Sequence, residues 1–137
     1  MLIKSQTDKI KSAADIAAAL RCSLLAEDRQ DRSKEHFYAI GLNAQNQILY
    51  IDCVSVGLAN TCPIHPRETY RRAIEHGALA LIVAHNHPGG TTYPSDSDTA
   101  ATRQLQNAGK IIGIDLLDHV IFTDTEFYSY QREGLID

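Results

Sequence analysis

The 137-residue chain has the length of one domain, and its 44% hydrophobic and 22% charged residues are typical of a globular protein. Its formal net charge of -4 argues against a non-specific nucleic-acid binder, although Arg67, Arg71 and Arg72 could form a local basic patch. The sequence has no apolar run long enough to span a membrane and no signal-peptide core near its start, so we expect a cytoplasmic protein.

The three cysteines, Cys22, Cys53 and Cys62, do not indicate a disulfide framework. Their number is odd, and no two of them form the Cys-x-x-Cys pair of a zinc ribbon. We expect small, buried or half-buried thiols. A cysteine nucleophile stays open, but no neighbouring residue favours one.

The first half of the chain predicts a helix followed by a β-hairpin. Residues 1–11 are polar and expected to be flexible. Apolar residues then recur at helical spacing, and two later stretches with strand-forming residues flank a short turn. The predicted elements are a helix at Ser12–Glu27 with Ser12 as N-cap, an exposed loop at Asp28–Lys34, and strands at Glu35–Leu42 and Gln47–Val56.

The second half alternates helices and strands. A loop at Gly57–His65 leads into it, and glycines or prolines punctuate the later segments. The predicted elements are a helix from Pro66 to His76, a buried strand at Ala78–Ala84, a helix at Asp96–Ala108 ended by Gly109, and short strands at Ile111–Leu117, His119–Thr123 and Tyr128–Tyr130. This order predicts an α/β protein with a mixed sheet sandwiched by helices.

The segment from His85 to Asp98, HNHPGGTTYPSDSD, has the residues of a metal site. His85 and His87 are two positions apart, so their imidazoles point to the same side of an extended segment and can meet one ion. Asp98 falls in the first turn of the next helix and can face back toward the strand end. Two imidazoles and one carboxylate are the ligand count of a catalytic zinc ion, which keeps a fourth position for water.

The same residues also have simpler interpretations. Ser95 and Asp98 fit a capping box, in which both side chains bind free amides at a helix start. The Pro-Gly-Gly run after His87 need indicate no more than a turn. The His-x-His pair ahead of Ser-x-x-Asp favours the metal site. The consecutive letters HNH do not make an HNH nuclease.

This segment resembles the motif of the JAB/MPN (JAMM) metalloproteases: His-x-His, seven residues, Ser, two residues, Asp. The specified positions are filled by His85, His87, Ser95 and Asp98. Over about residues 12–135 the chain is similar to the RadC-like branch of that family, and the stretches that carry this similarity are Glu35–Leu49, His65–Ile74 and Leu116–Phe122. The resemblance implies a cytidine-deaminase-like α-β-α sandwich. Zinc-deaminase chemistry is not expected, since its Cys and Glu motifs are missing.

Two features depart from the RadC-like pattern. Longer members carry an N-terminal helix-hairpin-helix segment of the sort that binds DNA, whereas here a single short helix precedes Glu35. We therefore expect residues 1–137 to be one RadC-like JAB/MPN domain without a helix-hairpin-helix domain. The usual Pro-Ser-Gly after the second His is Pro88-Gly89-Gly90, which loses a hydroxyl but no ligand.

The resemblance also implies the chemistry of the site. Zn²⁺ is expected, with His85, His87 and Asp98 as ligands. The candidates for the general base are Glu27, Glu35, Glu68, Glu75, Glu126 and Glu133. The sequence alone mildly favours Glu35, because it begins a strand. The resemblance assigns the catalytic Glu to Glu35 and implies that Ser95 is the oxyanion donor. His65 and His119 could hold a ligand in place, but structural histidines bonded to the backbone are favoured.

Three functions follow from these observations. The first is a zinc-dependent metallopeptidase or isopeptidase, with a ubiquitin-like protein, a free peptide or a small amide as substrate. The second is a DNA-repair-associated accessory protein in contact with nucleic acid, against which the acidic charge argues. The third is a non-catalytic interaction module, against which the retained ligands argue. Exposed strand edges are compatible with a homodimer.

Overall fold

A computed structural model of the chain describes residues 2–4, 10–27, 29–57 and 64–136. Within these ranges the strands are β1 (Leu2–Lys4), β2 (His36–Leu42), β3 (Ile48–Val56), β4 (Ala80–Asn86), β5 (Asp115–Phe122) and β6 (Phe127–Ser129), and the helices are α1 (Ala13–Leu25), α2 (Arg29–Arg32), α3 (Pro66–Glu75) and α4 (Asp96–Ile112). The strands form one sheet in the order β1-β3-β2-β4-β5-β6. No helix in the described part of the chain is long and apolar enough to cross a membrane.

Helices cover both faces of the sheet. On one face, Leu20 of α1 packs in a cluster with Tyr38 and Ile40 of β2. On the other face, Tyr70 of α3 and Leu105 of α4 pack in a cluster with Phe37. Because successive residues of a strand face opposite sides, β2 serves both layers and is buried along its whole length. The predicted α/β sandwich with a mixed sheet is thus confirmed.

The sheet topology brings distant segments together at one edge. β4 and β5 are parallel and joined through α4, so the start of α4 follows the C-terminal end of β4. β2 is antiparallel to β4, with Phe37 opposite His85, so β2 begins at the edge where β4 ends. The end of β4, the start of α4 and the start of β2 therefore meet. In open α/β sheets this is the edge where binding sites form.

Tertiary contacts change several predicted boundaries near the ends of the sheet. Residues 2–4 were expected to be flexible, but they form β1 against β3. The predicted loop at Asp28–Lys34 contains the short helix α2. The predicted break between the strands at Ile111–Leu117 and His119–Thr123 is absent, because buried Asp118 accepts hydrogen bonds from the His119 and Gln131 amides and the Ser129 hydroxyl.

The end of α4 was also predicted wrongly. Gly109 lies inside the helix, which continues to Ile112 and ends at Gly113 with a φ of 87°. A Cβ atom on Gly109 would lie 2.5 Å from the Tyr70 hydroxyl oxygen and 2.4 Å from the Ile114 carbonyl oxygen. Gly109 is therefore needed for close packing, and Gly113 supplies the left-handed helix end.

The cysteines follow the predictions only in part. Cys53 is buried and Cys22 is exposed. Exposure of Cys22 contradicts the expectation of a buried or half-buried side chain. Cys62 and most of the predicted loop at Gly57–His65 lie outside the described residues.

Candidate metal centre

Four side chains with metal-binding groups converge where β4 ends and α4 begins. They are Glu35, His85, His87 and Asp98, and one ligand atom from each lies within 4.8 Å of the others. The Nε2 atoms of His85 and His87 are 2.8 Å apart. His85 Nε2 lies 3.6 Å from Glu35 Oε1 and 3.6 Å from Asp98 Oδ1, and His87 Nε2 lies 3.5 Å from Asp98 Oδ2.

The two imidazoles meet because the extended backbone of β4 continues past its last residues. His85 lies within β4, which ends two residues beyond the predicted strand end, and His85 is 1% exposed. The His87 amide donates a 3.0 Å hydrogen bond to the Phe122 carbonyl at the end of β5. Both rings therefore project from the same side of the chain.

Asp98 forms the helix cap and also faces the two imidazoles, so it is compatible with both interpretations of the sequence. It is the third residue of α4, where its Oδ2 accepts from the Ser95 amide at 2.9 Å and its own amide donates to Ser95 Oγ at 3.0 Å. This is a complete capping box. The same carboxylate faces His85 and His87, so the helix cap also holds a charged group in the cluster.

A chain of buried hydrogen bonds determines which nitrogen of His85 carries hydrogen. The Thr102 hydroxyl donates to the Asp98 carbonyl at 2.7 Å, so its oxygen accepts from His119 Nδ1 at 2.6 Å. Burial lowers the pKa of His119 well below its usual value, and the ring is neutral. His119 Nε2 therefore accepts from His85 Nδ1 at 2.8 Å. In the neutral ring of His85, the Nε2 lone pair is then directed into the cluster.

His87 is oriented in the same way by the backbone. Its Nδ1 lies 2.8 Å from the Thr91 carbonyl oxygen, which can only accept. Its Nε2 lone pair thus faces that of His85, and two lone pairs at this distance repel unless a proton or a metal cation lies between them. When His87 is protonated, its ring can donate a hydrogen bond to Asp98. This hydrogen bond raises the pKa of His87, although burial opposes the change. Burial acts to raise the pKa of Asp98, but contacts with both imidazoles outweigh it and hold that pKa well below its usual value.

The cluster fits the dimensions of a zinc site. Bonds of about 2.0–2.2 Å in a tetrahedral site place neighbouring ligand atoms about 3.3–3.6 Å apart. The three distances between imidazole and carboxylate atoms, 3.5 Å to 3.6 Å, fall at the upper end of this range. The two imidazole nitrogens need to separate by only about 0.5 Å, which small rotations of the rings provide. Two imidazoles and two carboxylates are also donors that suit zinc.

Glu35 occupies the position just before β2 and is 6% exposed. Burial raises the pKa of Glu35, and the nearby imidazoles partly offset this rise. The neighbouring His36 does not join the cluster, because its Nδ1 lies 2.9 Å from the Lys34 carbonyl oxygen. Neighbouring residues of an extended segment face opposite sides, so only one of Glu35 and His36 enters the cluster.

The other two histidines behave differently from each other. The ring of His119 contacts His85 and Thr102, so the favoured interpretation of a ring bonded to the backbone is wrong for this residue. His65 is an exposed N-cap of α3 and belongs to no metal-binding group within the described ranges. Thr102 also belongs to the site and was not predicted. Its position one helical turn after Asp98 was a signal that could have found it.

An open groove on the α1 side of the sheet has His87 in its lining. It has a volume of about 890 Å³ and combines apolar side chains with arginines at its wall. Leu25 contributes one wall and is 64% exposed. Its lining includes Leu24 and Leu25 of α1, Arg32 of α2, and His87 and Pro88 after β4.

The described fold and cluster define a class: an α/β sandwich with a candidate metal centre at the end of a sheet strand. The family model of the RadC-like JAB domain matches residues 10–135. The chain therefore belongs to the RadC-like JAB domain family, as its motif indicated.

Two curated relatives illustrate the similarity. A UPF0758 protein of Desulforamulus reducens is 45% identical over 115 residues, which cover 84% of this chain and 51% of the relative. A UPF0758 protein of Chlorobium chlorochromatii is 39% identical over 133 residues, covering 97% of this chain and 58% of the relative. The chain thus spans about half the length of these relatives.

Proposed function

We propose that the protein is a zinc-dependent metallopeptidase or isopeptidase that hydrolyses an amide bond. The observation that best supports this proposal is the pair of imidazole Nε2 atoms, which are 2.8 Å apart and whose lone pairs are directed at one point beside Asp98. His85, His87 and Asp98 would hold the ion. When bound, the ion would activate a water molecule and polarise the amide carbonyl.

Glu35 is the general base in this proposal. Its carboxylate lies 3.6 Å from His85 Nε2, on the inner side of the cluster. A buried carboxylate with a raised pKa can take a proton from the attacking water and hand it to the leaving amine. The alternative is that Glu35 completes the ligand set, and substitution distinguishes the two roles.

Ser95 supplies the oxyanion contact. Its oxygen accepts the Asp98 amide hydrogen, which leaves the hydroxyl hydrogen available for a substrate oxygen. One donor of this kind contributes roughly 3 kcal/mol to transition-state stabilisation. Ser95→Ala should accordingly lower the rate of hydrolysis without removing a metal ligand.

The groove favours a chain-like substrate over a small metabolite. It is open, about 890 Å³ in volume, and reaches His87 from the wall formed by α1. A small amide would be expected in an enclosed pocket that covers most of its surface. A peptide or an isopeptide-linked tail that lies along the groove would reach the cluster at His87, the cluster residue in the groove lining.

The basic residues on α3 give little support to a nucleic-acid partner. Arg71 forms ion pairs with Glu68 at 3.4 Å and Glu75 at 3.5 Å, and Arg72 forms one with Asp52 at 3.2 Å. These carboxylates neutralise the patch that the sequence left open. Binding of phosphates would require an excess of cationic side chains.

The proposal is tested by the metal content of the purified protein. Elemental analysis of the wild type should give about one zinc ion per chain. Asp98→Ala should lose it, and Asp98→Asn, which keeps an oxygen for the helix cap, should bind it more weakly. Asp96→Ala is the matched control, because Asp96 lies in the same helical turn but outside the cluster. A wild type that binds no zinc after incubation with it would refute the hydrolase proposal.

Activity is tested next with a panel of peptides and isopeptides. Glu35→Gln should keep the zinc ion but lose hydrolysis if Glu35 is the base. Loss of the ion in Glu35→Gln would assign this residue to the ligand set instead. Unchanged turnover in Glu35→Gln would show that another group is the base.

A further inference from the structure

Asn86 lies between the two imidazoles in the sequence but projects from the other side of β4. Its side chain is buried, with the residue 3% exposed, and reaches across to the chain that enters β2. Asn86 Oδ1 accepts a 2.6 Å hydrogen bond from the His36 amide. Asn86 Nδ2 donates a 3.0 Å hydrogen bond to the Lys34 carbonyl. These two backbone groups flank Glu35 on either side.

These bonds replace backbone pairing that the sheet lacks at this point. The ladder between β2 and β4 ends at the pair formed by Phe37 and His85. Glu35 precedes that pair, so β4 offers it no backbone partner in the ladder. The amide of Asn86 continues the contact between the two segments past the end of the ladder, with one acceptor and one donor as a peptide group has.

Glu35 depends on this backbone placement. Within the described ranges its carboxylate accepts no hydrogen bond, and its close contact is the 3.6 Å approach to His85 Nε2. Its carbonyl accepts from the Gly57 amide at 2.8 Å, which restrains one side of the residue against the end of β3. The Asn86 amide restrains the side that faces β4 and the metal centre.

We propose that Asn86 is a positioning residue that holds Glu35 at the metal centre. The inference rests on the proposed function of Glu35. At the end of β4, His85 and His87 thus project from one side of the chain and bind the metal in this proposal. Asn86 projects from the other side and holds the backbone of the general base Glu35. An asparagine suits this position because Asp offers no donor to the Lys34 carbonyl and an aliphatic side chain offers neither bond.

The direct test is the position of the Glu35 carboxyl group, which needs no substrate. The probe is NMR of the ¹³C-labelled Glu35 carboxyl carbon, assigned with Glu35→Gln, in the metal-free protein and in the Co²⁺-loaded protein. Asn86→Ala should change the Glu35 signal in both forms, because the distance to the imidazoles and to the paramagnetic ion changes. An unchanged signal would overturn the proposal.

A matched control separates this effect from a general loss of an amide side chain. Asn43 binds the Gln45 and Gln47 amides, each at 2.9 Å, in the turn at the other end of β2. Asn43→Ala should leave the Glu35 signal unchanged. If Asn86→Ala does not fold, Asn86→Asp, which keeps the acceptor for His36, is measured in its place.

Kinetics supply a second readout once a substrate is found. Asn86→Ala should lower kcat, by up to about 100-fold for a displacement near 1 Å, with little change in KM. In the Glu35→Gln background the same substitution should have no further effect. An equal loss in both backgrounds would show that Asn86 acts through the fold and not through Glu35. A protein that binds no metal would refute the proposed function, whereas the metal-free NMR measurement would still decide the role of Asn86.

Discussion

Replacing Thr102 with Val tests the hydrogen-bond chain that ends at the metal-facing nitrogen of His85. Thr102 is 2% exposed, and Val has nearly the same shape, so the substitution removes a buried hydroxyl without opening a cavity. It leaves His119 Nδ1 without the acceptor that lies 2.6 Å away. His119 can then compensate by turning its ring or moving its hydrogen to Nε2, and either change disrupts the bond from His85 Nδ1.

The expected magnitude follows from two separate losses. A buried donor without a partner costs about 1–3 kcal/mol of folding free energy. In a domain of this size, a loss of about 2 kcal/mol lowers Tm by roughly 5–10 °C. Zinc affinity should fall about 10- to 100-fold, because His85 is no longer held in the required tautomer. That decrease corresponds to about 1.4–2.8 kcal/mol of binding free energy.

Zinc affinity is measured by competition with a chromophoric chelator, and Tm by thermal unfolding of the metal-free protein. Thr102→Ser is the control, because it keeps the hydroxyl and removes only a methyl group. The Val variant should bind zinc more weakly than the Ser variant. Equal zinc affinity in the two variants, even with a lower Tm for Val, would refute the assignment of the His85 tautomer to this chain.

Three further predictions concern the ion, the packing of α4 and the groove. Zinc at 100 times its dissociation constant should stabilise the wild type by about 2.7 kcal/mol, and a chelator should reverse this, whereas Asp98→Ala should respond to neither. Gly109→Ala should lower the free energy of unfolding in urea by about 1–3 kcal/mol, because its Cβ would overlap Tyr70 and the Ile114 carbonyl. Gly89→Ala is the control and should leave this free energy unchanged, because the space around Gly89 is open. Leu25→Glu should raise KM for a peptide substrate without lowering Tm; an unchanged KM would exclude the groove as the substrate path.

Much of the candidate metal centre could be predicted because its geometry is local. The two-residue spacing of His85 and His87 determines that both rings share a side, whatever the rest of the fold. Asp98 follows Ser95 at the spacing of a capping box, and this cap was observed. The hydrophobic alternation in β2 likewise determined that Phe37 and Tyr38 face different layers.

The contact between His119 and His85 could not be predicted, because it depends on strand register. β4 and β5 pair with a register shift after Leu81, so that Leu117 is passed over and Ile82 lies opposite Asp118. Without that shift, the alternation along β5 would place His119 on the other face of the sheet. The sequence shows a histidine in an apolar strand but contains no local signal for this irregularity.

The choice between two glycines at the end of α4 has a similar origin. Gly109 and Gly113 both look like helix ends in the sequence. Which glycine ends the helix depends on Tyr70 of α3. Its hydroxyl donates to the Leu105 carbonyl at 2.7 Å and lies over Gly109. A side chain far away in the sequence thus makes Gly109 a packing residue, and the helix continues to Gly113.

Asp98 couples the metal centre to the helix that carries it. Its Oδ2 is held by the Ser95 amide, and its backbone carbonyl accepts from Thr102, which orients His85 through His119. The first turn of α4 therefore sets both the position of one carboxylate and the tautomer of one imidazole. Binding of a cation at the cluster would restrain Asp98 and, through the same bonds, the first turn of α4. The stability of the first turn of α4 and the affinity for metal should consequently change together, because both depend on the same hydrogen bonds.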